Sequence, residues 1–426
     1  MTAPLSRRFL TLATLLAALL APDAARAAAE RTGLASIKHI VIIVQENRSF
    51  DDLFEGYPNA HTASSGKLPN GQSVALEPIS MKAQYDISHA FQDARSSYDA
   101  GRMDGFAYEY VGSGGSRYPH PQYGYVPRKE VAPYWSLASQ YVLGDDTFAS
   151  QLDGSFVAHQ YLVAGWAGDT YNYPAGEPWG CDGAGNAVGV LDNIGQPFGF
   201  TAPCFRYKTV ADELDAKGLS WRSYSPMSGI GYSWDAFDAI SQIRNGPDWK
   251  TDVVHPETRI LSDVVHGKLA SVTWVVPSSP LSDHAGSRSS RGPSWVASIV
   301  NAIGKSEFWS STAIFITWDD WGGWYDDVSP PQLDDHGLGF RVPLLCVSPF
   351  AKSNYVDHTQ YEFASILRLV EMRFNLPSLG RTDARAQAPL NCFDFQHTGR
   401  PFREIVAPLT PGALVRAATN TPPDEQ

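Results

Sequence analysis

Apolar residues along this chain fall into short, dense runs, each closed by a burst of polar residues. The first is "IKHIVIIVQENRSFDDLFEGYP", in which His39 to Val44 are almost uninterruptedly apolar and Glu46, Asn47, Arg48, Ser49, Asp51 and Asp52 follow without a spacer. A run of four to eight β-branched and aliphatic residues reads as a strand buried on both faces. The pattern predicts further strands over Tyr141–Gly144, Ser271–Val276, Thr312–Trp318 and Val342–Val347. Between them, apolar positions at i, i+3 and i+4 predict helices over Ser294–Ile303 and Tyr361–Phe374. Another is expected over Lys208–Lys217, where Thr209 and Asp212 form a capping-box pattern and Gly218 stands at the stop. Strands alternating with helices predict an α/β fold with a mostly parallel central sheet flanked by helices. Residues 58–130 and 165–205 follow neither period and read as long insertions over the C-terminal ends of the strands, where functional loops belong. With no repeat and no linker, the expected organisation is one domain over 28–426, with a core at about 37–375 and a tail over 376–426.

The N-terminus changes the compartment. Arg7 and Arg8 precede an apolar stretch, Phe9 to Leu20, too short to span a bilayer, and Ala25-Arg26-Ala27 supplies a cleavage site. Residues 1–27 are therefore expected to be a signal peptide of the Tat or Sec type, giving a periplasmic or secreted protein without integral membrane segments. Residues 1–27 carry three Arg and one Asp, so their removal takes the formal charge from −12 to −14. So acidic a chain is a poor partner for nucleic acid. Export permits disulfides, and Cys181 and Cys204, in a Gly/Pro-rich stretch, are the expected pair; Cys346 reads as a core thiol and Cys392 stays open. Aromatic residues make up 12% of the chain, enough for a packed core or an aromatic-lined pocket. Trp221, Tyr224, Tyr232 and Trp234 offer a cage for a quaternary ammonium, although packing against the sheet is the commoner use of such residues.

Three more strand ends carry chemistry: Gly154-Ser155 after "YVLGDDTF", Asp283-His284 after "SVTWVVP", and Asp319-Asp320 after "TAIFITW". Each has a plain alternative, in that Glu46-Asn47 and Ser155 could cap helices, Asp283 could shape a turn, and Asp326-Asp327 are expected to be loop charges. Adjacent carboxylates such as Asp319-Asp320 repel unless a cation or proton lies between them. Together, Glu46, Asn47, Asp319 and Asp320 are hard oxygen donors suited to one divalent cation, which would neutralise phosphoryl oxygens. Ser155 at a helix start has the dipole favouring an alkoxide and an incoming phosphate, and a His nearby can protonate a leaving oxygen.

The elements "HIVIIVQENRSFDDLF", "SHAFQDARSSYDAGRMDGF", "LGDDTFASQLDGSFVAHQYLVAG", "SDHAG" and "FITWDDWGGWYDDVSPP" resemble the bacterial phosphoesterase family of non-haemolytic-type phospholipases C and AcpA-type acid phosphatases. The resemblance implies an alkaline-phosphatase-like fold and hydrolysis of phosphate esters through a phosphoserine. It implies metal and phosphate binding at Glu46 and Asn47, a nucleophile at Ser155 and a phosphate-contacting His at His89. It further implies a catalytic pair at Asp283 and His284 and metal binding at Asp319 and Asp320. The chain departs from the family in having Asp320 where Glu is common, Asp327 where His is usual, and Ala285-Gly286 in place of prolines. The expected partner is a phosphate ester or phospholipid, with at most transient contact with a membrane surface. A broad acid phosphatase and a metal-stabilised binding protein are the competing readings; a sulfatase lacks its C-x-P-x-R element here.

Overall fold

A computed structural model of the chain describes residues 33–418 apart from 113–115, 177, 184 and 227–234, so the expected signal peptide, Tyr232 and Trp234 lie outside the described residues. Eight strands form the central sheet: β1 (His39–Gln45), β2 (Val142–Gly144), β3 (Trp221–Tyr224), β4 (Val253–Val254), β5 (Val272–Val275), β6 (Thr312–Trp318), β7 (Leu344–Val347) and β8 (Tyr355–Asp357). Their order is β4-β3-β5-β1-β6-β7-β2-β8. All neighbours run parallel except around β7, which is antiparallel to both β6 and β2. The sheet is thus an α/β, mostly parallel one, with β7 reversed.

β1 is central because its sequence permits nothing else. Ile40, Val41, Ile42, Ile43 and Val44 are all at most 1% exposed, since β5 and β6 flank the strand and helices cover both faces. Burying five such side chains contributes on the order of 10 kcal/mol. That is comparable with the net stability of a whole domain, and it anchors whatever polar residues stand at the strand's end. Gln45 pairs with Trp318 and Ile43 with Val275, so β1, β5 and β6 finish at one edge. β2 points the same way, its direction inverted twice across β7.

Six helices matter for the site: α1 (Phe50–Phe54), α2 (Ala132–Gln140), α3 (Ser155–Ala164), α4 (Val210–Ala216), α5 (Gly292–Gly304) and α6 (Phe363–Phe374). In α4 the Thr209 hydroxyl accepts from the Asp212 N–H, while the Asp212 carboxylate accepts from Thr209; these are the reciprocal bonds its spacing predicts. The insertions are not structureless. Residues 58–130 hold the helix Phe91–Tyr98, and residues 165–205 hold a small antiparallel sheet of Thr170–Tyr171, Val188–Leu191 and Pro197–Thr201. Cys181 and Cys204 form a disulfide there, while Cys346 and Cys392 are buried thiols. Trp221 and Tyr224 are buried in β3, bonded to Asp215 and Asp263, and so pack against the sheet.

Candidate active site

The C-terminal edge of the sheet gathers the polar ends of β1, β6, β2 and β5, and it is here that ligands bind in open α/β sheets. Immediately after β1, Asn47 adopts a left-handed conformation, φ 62°, which asparagine tolerates better than most residues. That turn aims its N–H at Asp319 Oδ1, 2.8 Å away. Its Nδ2 donates to His89 Nε2 at 2.7 Å and approaches Asp320 Oδ1 at 3.4 Å. His89 Nδ1 lies 2.7 Å from the Ile87 carbonyl, so it is the protonated nitrogen and Nε2 accepts. The turn after β6 presses close: Gly322, at φ +60°, would bring an added Cβ within 2.2 Å of the Asn47 carbonyl.

Ser155 is the first helical residue of α3, with Gly154 as the cap and no side-chain cap bond. Its hydroxyl is therefore not spent on capping. It donates instead to Asp320 Oδ2 at 2.9 Å, while Asp320 Oδ1 accepts from the Gly322 N–H at 2.6 Å. Behind it the Asp153 carboxylate, pushed up to about 7 by burial, accepts from the N–H groups of Gly154 and Asn172 and fixes the turn that carries Ser155.

One turn along α3, His159 points the same way as Ser155. Its Nε2 lies 3.2 Å from Glu46 Oε1 and 3.6 Å from Asp319 Oδ2, and all three side chains are buried. Burial alone would lower the imidazole pKa, but Glu46 and Asp319 raise it to about 10. The imidazolium offsets only one of the two carboxylates. Burial, with the neighbouring Asp319 charge, drives Glu46 well above the usual carboxylate range; Asp319, despite its burial, is held low by His159. Glu46 Oε2 and Asn47 Oδ1 are buried without a hydrogen-bond partner among the described residues. Two carboxylates, an imidazole and an orphaned amide oxygen fit a divalent cation, which would replace the protons now balancing the charge.

The expected residues are thus distributed unequally. Glu46 and Asp319 meet in this cluster, joined by His159, which the strand-end pattern did not single out. Asn47 bridges the cluster to His89. The Asp320 carboxylate is directed to Ser155 and Gly322. His284 comes within a ring-centroid distance of 5.7 Å of His89, and its Nδ1 lies 2.5 Å from the Ala285 carbonyl and 3.9 Å from Asp86. Asp283, expected to pair with it chemically, has its carboxylate engaged by the Tyr134 hydroxyl at 2.7 Å and the Trp318 Nε1 at 3.0 Å. Gln45 accepts from its N–H and Arg48 Nε donates to its carbonyl, so Asp283 anchors the turn that carries His284. Burial lifts its carboxyl to about 6, and those donors restrain the rise. His159 had one signal in the sequence: it stands four residues after Ser155 on the same helix face.

A second acidic group, Asp51, Asp326 and Asp327, is met by Arg341 and by backbone donors. Arg341 donates to Asp326 Oδ1 at 2.8 Å and to Asp327 Oδ1 at 2.9 Å, and Asp51 accepts from the Ala63 and Asp327 N–H groups. It staples α1 to the loop after β6, and Asp326-Asp327 are loop charges with a structural use.

Among curated proteins the chain is similar to the "Non-hemolytic phospholipase C" of Burkholderia pseudomallei, at 26% identity over 81% of this chain and 56% of that protein. The enzyme of the same name from Pseudomonas aeruginosa is 25% identical over 91% of this chain and 62% of its own length. The "Phospholipase C B" of Mycobacterium tuberculosis is 24% identical over 87% and 80% respectively. The chain therefore spans less than two thirds of the first two relatives. A solved structure described as a protein in the alkaline phosphatase superfamily from Vibrio parahaemolyticus matches 83% of this chain and 71% of that one. It is 11% identical, with a TM-score of 0.40. Residues 37–377, which include every strand end described above, match the Phosphoesterase family, and the chain belongs to it.

Proposed function

We propose that this chain is an exported, metal-dependent phosphoesterase that cleaves phosphodiesters in the manner of a phospholipase C, through a phosphorylated Ser155. The observation that carries this reading is the position of Ser155. It opens α3 with its hydroxyl on Asp320 at 2.9 Å, beside the Glu46–His159–Asp319 cluster and the His89–His284 pair. Three similar proteins named as phospholipases C support the substrate class. The disulfide supports an oxidising compartment. No helix among the described residues is long and apolar enough to cross a membrane.

Glu46, His159 and Asp319 would hold the cation. Bound there, a divalent cation supplies positive charge for phosphoryl oxygens and eases ionisation of a neighbouring hydroxyl. Ser155 Oγ attacks phosphorus as its proton passes to Asp320 Oδ2. The Oγ–P bond forms while the bond to the leaving oxygen breaks, and that oxygen takes the proton of an imidazolium, His284 or His89 protonated on Nε2, leaving the ring neutral. Water then attacks the phosphoserine as the P–Oγ bond breaks; its proton passes to the same imidazole, and Ser155 Oγ recovers its own from Asp320. The N-terminal dipole of α3 favours the anionic oxygens throughout.

The test is turnover of p-nitrophenylphosphorylcholine and p-nitrophenyl phosphate by the mature protein, with and without chelator, beside Ser155→Ala. Cleavage of the diester, lost with chelator and reduced on the order of 10³-fold or more in Ser155→Ala, is expected. Cleavage of the monoester alone would make the enzyme a phosphatase. Near-normal turnover by Ser155→Ala would sink the mechanism.

A further inference from the structure

The small sheet in the 165–205 insertion ends in a hairpin whose outer apolar residues are exposed. Phe198 is 79% exposed, Phe200 75% and Ile194 64%, whereas most large apolar side chains of the chain are buried. The hairpin, Val188 to Thr201, contains no Lys or Arg. Its one charge, Asp192, is half-buried and accepts from the Ile194 and Gln196 N–H groups at 3.0 and 2.9 Å. The tip therefore presents three large apolar side chains beside the uncharged Asn193 and Gln196.

This tip is fastened to the active site from two sides. The inner strand carries Thr170, whose carbonyl accepts from Gln151 Nε2 at 2.9 Å, and it runs on into Asn172, whose N–H donates to Asp153 at 3.1 Å. Both partners belong to the segment that leads into Ser155. From the other side, Asn172 Oδ1 accepts from the Phe91 N–H, two residues after His89, and Arg95 donates to the Gly195 carbonyl at the hairpin turn. Whatever the hairpin touches is thereby held at a fixed offset from Ser155 and His89.

We infer that Ile194, Phe198 and Phe200 insert into the outer layer of a zwitterionic lipid surface and set the enzyme down on it with the active site facing the head groups. The occupant follows from size and charge. Three protruding side chains offer on the order of 400 Å² of apolar surface, since an aromatic side chain buries 150–250 Å². A stable protein interface needs about 800 Å² from each partner and a hydrogen-bonding rim. A hairpin tip falls well short of that area, while a lipid layer requires only apolar area at its boundary. The acidic chain and the lack of basic residues on the hairpin exclude attraction to anionic lipids as the driving force. This inference rests on the phosphoesterase reading for its substrate side, but its central measurement does not need turnover.

The mature chain and Phe198→Ser/Phe200→Ser are co-sedimented with phosphatidylcholine vesicles, at low salt and at about 0.5 M salt. Wild-type protein should partition onto the vesicles at both salt concentrations, and the double variant should partition roughly tenfold less or lower. In parallel, the variant should keep wild-type turnover of soluble p-nitrophenylphosphorylcholine while losing turnover of vesicle phosphatidylcholine. Equal partitioning of the two proteins, or equal loss on soluble and vesicle substrates, overturns the inference. So does binding abolished by salt, or hairpin-dependent self-association in sedimentation velocity. If neither substrate is turned over but vesicle binding still depends on the two phenylalanines, the catalytic reading fails and the docking surface stands.

Discussion

His159 decides how the Glu46–His159–Asp319 cluster works, because its imidazolium is the one positive charge set against the two carboxylates when no cation is bound. Its Nε2 lies 3.2 Å from one carboxylate and 3.6 Å from the other. Removing it leaves two buried acidic groups without a positive partner and takes away one of three donors. His159→Ala is expected to bind divalent metal more than ~100-fold more weakly, measured as metal retained per chain after dialysis. Asp320→Asn should retain metal while losing turnover, because its carboxylate is directed to Ser155 and not to the cluster. If instead Asp320→Asn loses metal and His159→Ala keeps it, the two acidic residues after β6 act together as ligands and the role of His159 is structural.

At the scale of elements, the site is made by strand ends and by the turns that leave them. The turn after β6 is the tightest, since Gly322 has φ +60° and no room for a Cβ against the Asn47 carbonyl. Gly322→Ala should cost roughly 1–3 kcal/mol and displace Asn47 from Asp319, so turnover is expected to fall further than denaturant stability does. Unchanged kinetics would show that the turn does not position Asn47. These strands were legible because β1, β5 and β6 are unbroken apolar runs, and Glu46, Asn47, Asp319 and Asp320 because they stand directly after β1 and β6; Ser155 and His284 lie further along the loops that leave β2 and β5. β3, β4 and β8 were not: β4 is two residues long, and β3 and β8 carry Arg222, Ser223 and Asp357 within four and three residues, so that no period emerges. His159 was hidden for a different reason: α3 is buried all round, so no polar face marks the residue that matters. Asp283 showed the converse limit. Its neighbour in sequence suggested catalysis, and nothing in the sequence shows that Tyr134 and Trp318 hold its Oδ2.

Over the whole molecule, the buried carboxyls set a slope of stability with pH. Burial first of all raises Asp52 and Asp283 to about 6, Asp153 to about 7 and Asp238, also repelled by Asp182, to about 8. The ordinary value for an aspartate is near 4, so between about pH 4 and 8 the folded chain holds protons that the unfolded chain has released. Stability therefore falls as pH rises through that window. His159, raised to about 10, extends the same slope to higher pH in metal-free protein, because its stabilising charge is lost as it deprotonates. Asp319 and Asp383 are shifted downward and titrate below this range; His39, lowered by burial, opposes the trend as a single group. The growing negative charge of an acidic chain adds self-repulsion in the same direction. Metal-free mature protein should therefore melt at a lower temperature at pH 8 than at pH 6. Asp238→Asn, which still offers an oxygen to Arg244, should flatten the slope between them. A melting temperature that rises from pH 6 to pH 8 would mean that these carboxyls are ionised in the folded chain at little cost, and that solvent or bound cations reach them where the packing of the chain shows them enclosed.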